Sequence, residues 1–474
     1  MTNRRQFPMK FSNPGFSAVI AISAALFSAH AQSATISANP TDYLGKLANL
    51  QAGDVLELSA GSYVDGFNIS DRIGTPDAWI TIQGPVVGAP AIIEGRSCCN
   101  TVQLRRSEYI KVKNLTIDGK GLFVDGVNAK DGISHHIVIE NNTLINLGAH
   151  QQLVGISTKS PAWDWVIRNN RIIGAGTGIY LGNSTGSSPF IGGIIEGNYI
   201  VNPVGYCMEI KHQNERPLVD GIPTEDRKTI IRNNVFIKDD RPSPDGNRPN
   251  LLVDGFPDTG NGSNDIYEIY GNFLYNNPRE SLIQASGRVV FHDNVLVQPG
   301  SSTIGMYLTS HNKPLKLAYV YNNTVFGGSS GIRFGVAPSL DSKLIGNVVF
   351  SNGGIGAIER VAQASDNIVD TVANAVNYVT KPNTVLGDMN FYPLPGKLKG
   401  PALDLSAFTT HVDFDLDFNG VPKGTREYRG AYAGEGSNPG WQLQDSAKVG
   451  GPSPSIDPAL LPSAPTGVSL SKTP

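Results

Sequence analysis

The chain has 474 residues and a mass of 50.6 kDa, enough for one large domain or two to three ordinary ones. Charged residues are 17% against the ~25% of an average soluble chain, and hydrophobic residues are 40%, which argues against disorder and coiled coil; 53 Gly and 31 Pro without a Gly-X-Y period exclude collagen. The net charge of −3, from 38 Lys and Arg against 41 Asp and Glu, offers no basic excess for DNA or RNA.

In chain order, Arg4, Arg5 and Lys10 give a positive start. Phe16 to Phe27 is an apolar run too short to span a ~30 Å hydrocarbon core. Ala29-His30-Ala31 then supplies a small-x-small cleavage pattern, so residues 1–31 read as a secretory signal peptide, with an uncleaved anchor as the alternative. A secreted or periplasmic protein with no membrane association after cleavage is expected. Removing three cations and no anion takes the charge from −3 to −6, so a polyanion partner needs cations concentrated locally.

Asn39-Pro40-Thr41 before Tyr43, Leu44, Leu47 and Leu50 predicts a short amphipathic helix. Strand-like runs follow at Val55-Leu-Glu-Leu58, Ile80-Thr-Ile82 and Ile92-Ile93. Adjacent Cys98 and Cys99 can join only through a strained ring, and the odd Cys207 reads as a small buried side chain. No metal-ligand spacing of cysteines exists, and disulfides are not expected to hold the fold.

From residue 110 a unit recurs: alternating apolar residues, an Asn, and another apolar residue two positions on. It reads Ile110-Lys-Val112-Lys-Asn114-Leu-Thr-Ile117, then Ile137-Val-Ile139-Glu-Asn-Asn142-Thr-Leu144, and continues at Asn170, Asn198, Asn234, Asn272, Asn294, Asn323, Asn347 and Asn367. The first three intervals are each 28 residues, which signals a solenoid. Helical periodicity is absent, and each unit is short strand, Asn turn, short strand, and a Gly-flanked third strand such as Gly178-Ile-Tyr-Leu-Gly182. Asn tolerates the left-handed conformation of a sharp corner, and stacked Asn side chains can form a hydrogen-bonded ladder. The pattern predicts an all-β, single-domain right-handed parallel β-helix of about ten rungs over residues 32–435, with an N-terminal helical cap and a closing cap over 383–435. Residues 436–474, with Pro439, Pro452, Pro454, Pro458, Pro462 and Pro465 among them, read as a tail or linker.

Ala52-Gly-Asp-Val-Leu-Glu-Leu58, Gly61-Ser-Tyr63, Ile80-Thr-Ile-Gln-Gly84 and Tyr109-Ile-Lys-Val-Lys-Asn-Leu-Thr-Ile-Asp118 resemble the opening of bacterial proteins of the pectin-lyase-like β-helix superfamily. The resemblance covers about residues 35–435 and is nearest the chondroitinase-B and alginate-lyase branch of polysaccharide lyases. It implies action on an acidic polysaccharide, here expected of a monomer. The superfamily also holds hydrolases, epimerases and phage tailspikes, so function has to be argued from the site.

Two intervals are long, Asn198 to Asn234 and Asn234 to Asn272, and extra residues in a solenoid coil become loops on one face. They contain Glu209-Ile-Lys-His-Gln-Asn-Glu-Arg216, Arg227, Lys228, Arg241, Arg248, Asp254 and Asp258, the expected local concentration of cations. With Met208 and Ile210 inward, Glu209 and Lys211 point outward. The same alternation places Lys159, Tyr180, Asp254, Gln284, Tyr307, Thr309, His311 and Arg333 on one outward stripe, a candidate sugar-binding groove.

Uronate β-elimination needs a neutralised carboxylate, a base for the C5 proton and an acid for the O4 leaving group. Lys211 is the candidate base and Arg216 the candidate carboxylate partner. His212 is a further acid or base only if the strand ends at Lys211, and Tyr307 or His311 could be the acid. Glu209 could instead be an ion-pair partner of Lys211, or could hold calcium together with Asp254. The chondroitinase-B branch carries a Glu-x-Glu calcium pair before its lysine and an arginine on the following rung. This chain has Tyr206-Cys-Met-Glu-Ile210 and Asp254 there. A glycoside hydrolase using Asp254 with Asp258 or Glu209, an epimerase, and a non-catalytic polysaccharide-binding β-helix are the alternatives.

Overall fold

The computed structural model describes residues 33–448; the expected signal peptide and residues 449–474 lie outside the described residues. Three long sheets run side by side. Sheet I has 13 strands from Thr35–Ala38 to Gln363–Ser365, sheet II has 12 from Gly61–Tyr63 to Ile368–Asp370, and sheet III has 11 from Phe67–Ser70 to Ile355–Gly356. Each coil visits the sheets in that order, as in Ala162–Arg168, Arg171–Ile173 and Thr177–Leu181, before the next coil begins at Phe190–Glu196. Every strand of these three sheets pairs in parallel with its counterpart one coil away, as Ile167 with Ile195 and Ile195 with Ile231. This is the right-handed parallel β-helix, the hand that parallel crossovers adopt. Its coils slightly outnumber the ten expected from the Asn count.

Period-2 alternation sends one side chain of each pair inward. Ile179 and Leu181 are buried while Tyr180 between them is half-exposed, and one continuous core runs from Ala38 to Val349. Several strands of sheet III carry Gly as their second residue, as at Gly155, Gly178 and Gly305, because the next coil passes too close for a side chain. A Cβ on Gly178 would lie 2.4 Å from the Cys207 carbonyl oxygen and 2.6 Å from Ile200.

The Asn corner divides its two expected jobs between adjacent residues. The left-handed position is the residue before the ladder Asn: Asn141, Asn169, Gly197, Asn233, Gly271, Asp293, Asn322, Gly346 and Asp366, with φ from 51° to 66°. Asn114 (φ 59°) belongs to this set, so it turns the corner and Leu115 takes the ladder position on that coil. The ladder runs through Asn142, Asn170, Asn198, Asn234, Asn272, Asn294, Asn323, Asn347 and Asn367. Each Nδ2 donates to the next Oδ1 at 2.9–3.1 Å.

The N-terminal helix is short, Tyr43–Leu47, and buries Tyr43 and Leu47 against the first coils; Leu44 faces outward, not into the core as its spacing suggested. The Tyr43 hydroxyl donates to the Gly66 carbonyl at 2.9 Å, and its ring stacks on Phe67. Cys98 and Cys99 are joined to each other, which cross-links no loop, and Cys207 is free and buried.

The C-terminal segment does more than close the end. Met389, Phe391, Phe418, Tyr432, Trp441 and Leu443 pack on the outer face of sheet II against Val235, Phe273, Val295 and Phe350. Leu403, Leu405 and Phe408 cover Val290, Tyr321 and Ile345 of sheet I. Packing passes the boundary expected at 435/436: Asp445 accepts from the Tyr199 hydroxyl at 2.5 Å, and Lys448 donates to Gly271 and Phe418 carbonyls. Residues 436–448 are therefore part of the domain, because Trp441 and Leu443 are apolar side chains that sheet II can bury.

Asn234→Ala leaves the buried Asn198 backbone N–H and one of its two side-chain amide hydrogens, which now donate to Asn234 at 3.0 and 2.9 Å, without acceptors; the other amide hydrogen keeps the Ile167 carbonyl. A loss of about 3 kcal/mol is expected by urea denaturation, against a smaller loss for Asn367→Ala at the half-buried end of the ladder. Equal losses at the two positions contradict the ladder's role.

Candidate active site

With sheet II and part of sheet I covered by the C-terminal segment, the outer face of sheet III lies open between the two insertions. The first, 211–227, leaves the far edge of strand Met208–Ile210; the second, 238–250, enters the near edge of Leu251–Val253. Arg216 is what folds the first insertion. It is buried, donating to the carbonyls of Pro223 and Glu225 at 2.6 and 2.9 Å and to Asp265 at 2.5 Å. A guanidinium so engaged is not available to a substrate carboxylate, which corrects the expected role of Arg216.

The second insertion reaches back across two coils. Gln151 donates to the Gly246 carbonyl and accepts from the Asp245 N–H, both at 2.9 Å, and Gln152 donates to Asp245 at 3.1 Å. This anchoring carries Arg248 over the sheet, its guanidinium 5.6 Å from the Tyr206 ring centre. A groove of about 430 Å³ results, lined by Gln151, Gln152, Lys159, Tyr180, Asn183, Tyr206, Glu209, Lys211 and Arg248 among others. Tyr206, Asn183 and the Gln pair lie in turns, where strand alternation gives no signal. Arg248 is visible in the sequence as an insertion cation, but its direction is not.

The single outward stripe resolves into two rows. Ser157, Tyr180, Glu209, Leu252, Gln284, Tyr307 and Arg333 are in register. Lys159, Lys211, Asp254 and Thr309 form the row beside it, just past the strand ends. Leu252, not Asp254, stands beside Glu209. Gln284, Tyr307 and Arg333 continue their row beyond the groove's lining.

Glu209 and Lys211 meet at 3.0 Å, with only 3% and 15% of their side chains exposed. Burial pushes the Glu209 carboxyl up, and the Lys211 ammonium opposes this without cancelling it. Lys159 is paired with Asp125 at 2.8 Å. The Tyr180 and Tyr206 hydroxyls are pushed well up by burial and by the Glu209 charge, so both are proton-bearing donors.

Asp254 is fully buried and accepts six hydrogen bonds. Oδ1 takes the Gly255 N–H at 2.8, the Ser286 hydroxyl at 2.6 and the Lys313 N–H at 3.3 Å. Oδ2 takes His311 Nδ1 at 2.9 Å, and the Asn312 N–H and side-chain amide at 3.2 and 2.6 Å. Burial alone would raise its carboxyl, but these bonds, His311's foremost, hold it well below the ordinary range. The hydrogen bond to Asp254 in turn raises His311 above its ordinary value, and Lys211 and Glu209 both act on the ring.

His212 follows the strand, which ends at Ile210, and it packs against Gly186 outside the groove's lining. Its Nδ1 is buried without a hydrogen-bond partner, 3.9 Å from Asp254, and burial lowers its pKa. Calcium does not fit here. Asp254 has spent its oxygens on protein donors, Glu209 is tied to Lys211, and among the described residues no group of three or more His, Cys, Asp or Glu is placed to hold a metal ion. Asp258 is exposed and paired with Lys316 at 3.1 Å.

No protein-family model and no curated protein matches the sequence. Among solved structures, the chain is similar to an alginate lyase from Paenibacillus sp. str. FPU-7, at 15% identity and TM-score 0.35 over 71% of this chain and 99% of that one. It is also similar to the PL6-family alginate lyase AlyGC, at 16% identity and TM-score 0.43 over 68% of this chain and 49% of that one. A third is pectate lyase Pel9A, at 14% identity and TM-score 0.44 over 70% of this chain and 79% of that one. At these identities the likeness is one of fold alone.

The Asp254–His311 pair sets a pH signature. His311's contribution to stability is complete below its ordinary value of 6.5 and is lost as pH rises through its raised value; Asp254's is present above 3.8 and lost only as pH falls through its depressed one. In an NMR titration His311 is expected to titrate above 6.5, and Asp254→Asn to bring it down. A His311 midpoint at or below 6.5 in the native protein contradicts the pairing.

Proposed function

We propose that this protein is an exported polysaccharide lyase that cleaves an acidic, uronate-containing polysaccharide by β-elimination. The observation that carries the reading is the convergence of Lys211, Arg248 and Lys159 with Tyr180 and Tyr206 in one groove, beside the Asp254–His311 pair. Outside that groove the chain is acidic, so a polyanion is drawn to this face. Arg248 and Lys159 neutralise the sugar carboxylate, which makes the C5 proton acidic. Lys211 removes that proton. Glu209, 3.0 Å away, receives a hydrogen bond from the Lys211 Nζ and so holds this side chain in place at the groove. His311, with Nδ1 held by Asp254, keeps Nε2–H as the donor to the O4 leaving group. The two tyrosine rings offer flat faces and hydroxyl donors to neighbouring sugars.

The test is incubation of the mature protein with alginate, polygalacturonate and chondroitin sulfate, following the ultraviolet absorbance of the unsaturated C4–C5 product. A rise is expected, lost about a hundredfold or more in Lys211→Ala while polymer binding persists. New reducing ends without that chromophore point to hydrolysis, and binding without either product to a non-catalytic β-helix. Because the carboxylates do not fit calcium, a chelator is expected to leave the rate unchanged; a rate restored only by added calcium contradicts the assignment of the groove's charges.

A further inference from the structure

We infer that the groove extends past Lys159 to a distal sugar-stacking subsite formed by Phe123 and His150. The inference rests on the groove being a polysaccharide site, but not on which bond is broken there. Among the described residues Phe123 is the one Phe, Tyr or Trp that is largely exposed, at 70%. It sits in the turn between Leu115–Asp118 of sheet II and Val127–Ala129 of sheet III. Its neighbour Leu122 packs against the core, which directs Phe123 outward.

His150 occupies the equivalent turn of the next coil, and its ring centre lies 5.4 Å from that of Phe123, tilted by 54°. The next two residues, Gln151 and Gln152, line the groove. The second insertion braces this turn: His150 Nε2 lies 3.7 Å from Asp245, and Gln152 donates to the same carboxylate. The loop that delivers Arg248 to the groove thus also fixes the platform at its end. Asp125, two residues after Phe123, holds Lys159 at 2.8 Å, which ties the platform to the nearest groove cation.

Val127 pairs with Ile156, Ile156 with Ile179, and Ile179 with Met208, so three coil steps separate the Phe123 coil from that of Lys211. At ~4.8 Å per step this is roughly 14 Å along the axis, room for several sugar rings. The C–H face of a pyranose is the apolar part of an otherwise charged polymer, and an exposed phenyl ring is its natural partner. The ligand class is therefore a sugar ring of the same acidic polysaccharide, several residues from the one at Lys211. Short oligomers that fill only the catalytic end do not reach it.

The test compares native protein, Phe123→Ala and Phe123→Trp by affinity electrophoresis through gels containing alginate, polygalacturonate or chondroitin sulfate. The polymer that retards the native protein is then used for kinetics. Phe123→Ala is expected to bind that polymer about tenfold more weakly, with the loss falling on KM, and Phe123→Trp to restore it. Phe123 is exposed, so an unchanged thermal unfolding curve confirms that folding is not the cause. Equal retardation of native protein and Phe123→Ala overturns the subsite, and leaves the lyase reading to Lys211→Ala. Retardation lost in Phe123→Ala without any unsaturated product upholds the subsite and overturns the lyase reading. No retardation of native protein by any of the polymers overturns both.

Discussion

A buried side-chain amide has to find its hydrogen bonds inside the protein, and the Asn ladder satisfies this by making each coil the partner of the next. Asn234 accepts from the backbone and side chain of Asn198 and donates to the Ile195 carbonyl and to Asn272. A coil that slipped by one residue would strand these groups and turn its core side chains outward. The ladder therefore fixes register along the stack, and register fixes everything on the outer faces. Tyr180 beside Glu209, and Lys211 beside Asp254, are consequences of a constraint at the opposite corner of the coil.

The three outer faces then have different fates because of what each strand exposes. Sheet II offers Tyr199, Val235, Phe273, Val295 and Phe350, an apolar stripe that only the C-terminal segment can cover. Sheet I offers Tyr270, Val290, Tyr321 and Ile345, and is covered in part the same way. Sheet III exposes Tyr180, Gln284, Tyr307 and Arg333, which have no need of a cover. Its central coils are flanked instead by the insertions, each held by a buried cation and by partners elsewhere in the chain. Arg216 is sealed into one of them, and Lys238 into the other, donating to the carbonyls of Gly205 and Arg248. Cations of the same sequence neighbourhood thus divide into those that build the loops and those that face the groove.

That division marks where the sequence stops being legible. The fold could be read because the Asn interval and the period-2 alternation are local signals that repeat, and repetition averages out their weakness. Glu209 and Lys211 could be placed because they alternate with buried Met208 and Ile210, Glu209 within the strand and Lys211 directly after it. Arg216 and Arg248 could not be told apart, since each lies in a loop whose path is set by a distant partner: Asp265 for one, Gln151 for the other. The corner misled in a different way. Asn114 resembles the ladder residues in spacing, yet register assigns it to the left-handed position one residue earlier. Trp441 and Leu443 were obscured by the prolines around them, because composition reports the stiffness of a segment and not the surface waiting to receive it.

The chemistry of the site turns on how Asp254 and Glu209 are held. One carboxyl is pushed down and the other up, the division of labour that acid and base pairs in hydrolases use. Accessibility breaks the analogy. Asp254 is fully buried, and both of its oxygens are occupied by donors from three successive coils. Attack on a sugar or activation of a water would require it to give up hydrogen bonds that nothing else in the pocket replaces. Its charge acts through the groups that touch it, and the titratable side chain among its hydrogen-bond donors is His311, 41% exposed at the side chain. The reactive groups left on this face are then nitrogens: the Lys211 side chain beside the Glu209 carboxyl, an imidazole whose protonated form the sealed Asp254 anion favours, and the Arg248 guanidinium over the sheet. Under the lyase proposal such a set would move protons around a carboxylate-bearing sugar, and it contains no free carboxylate pair with which to displace at the anomeric carbon.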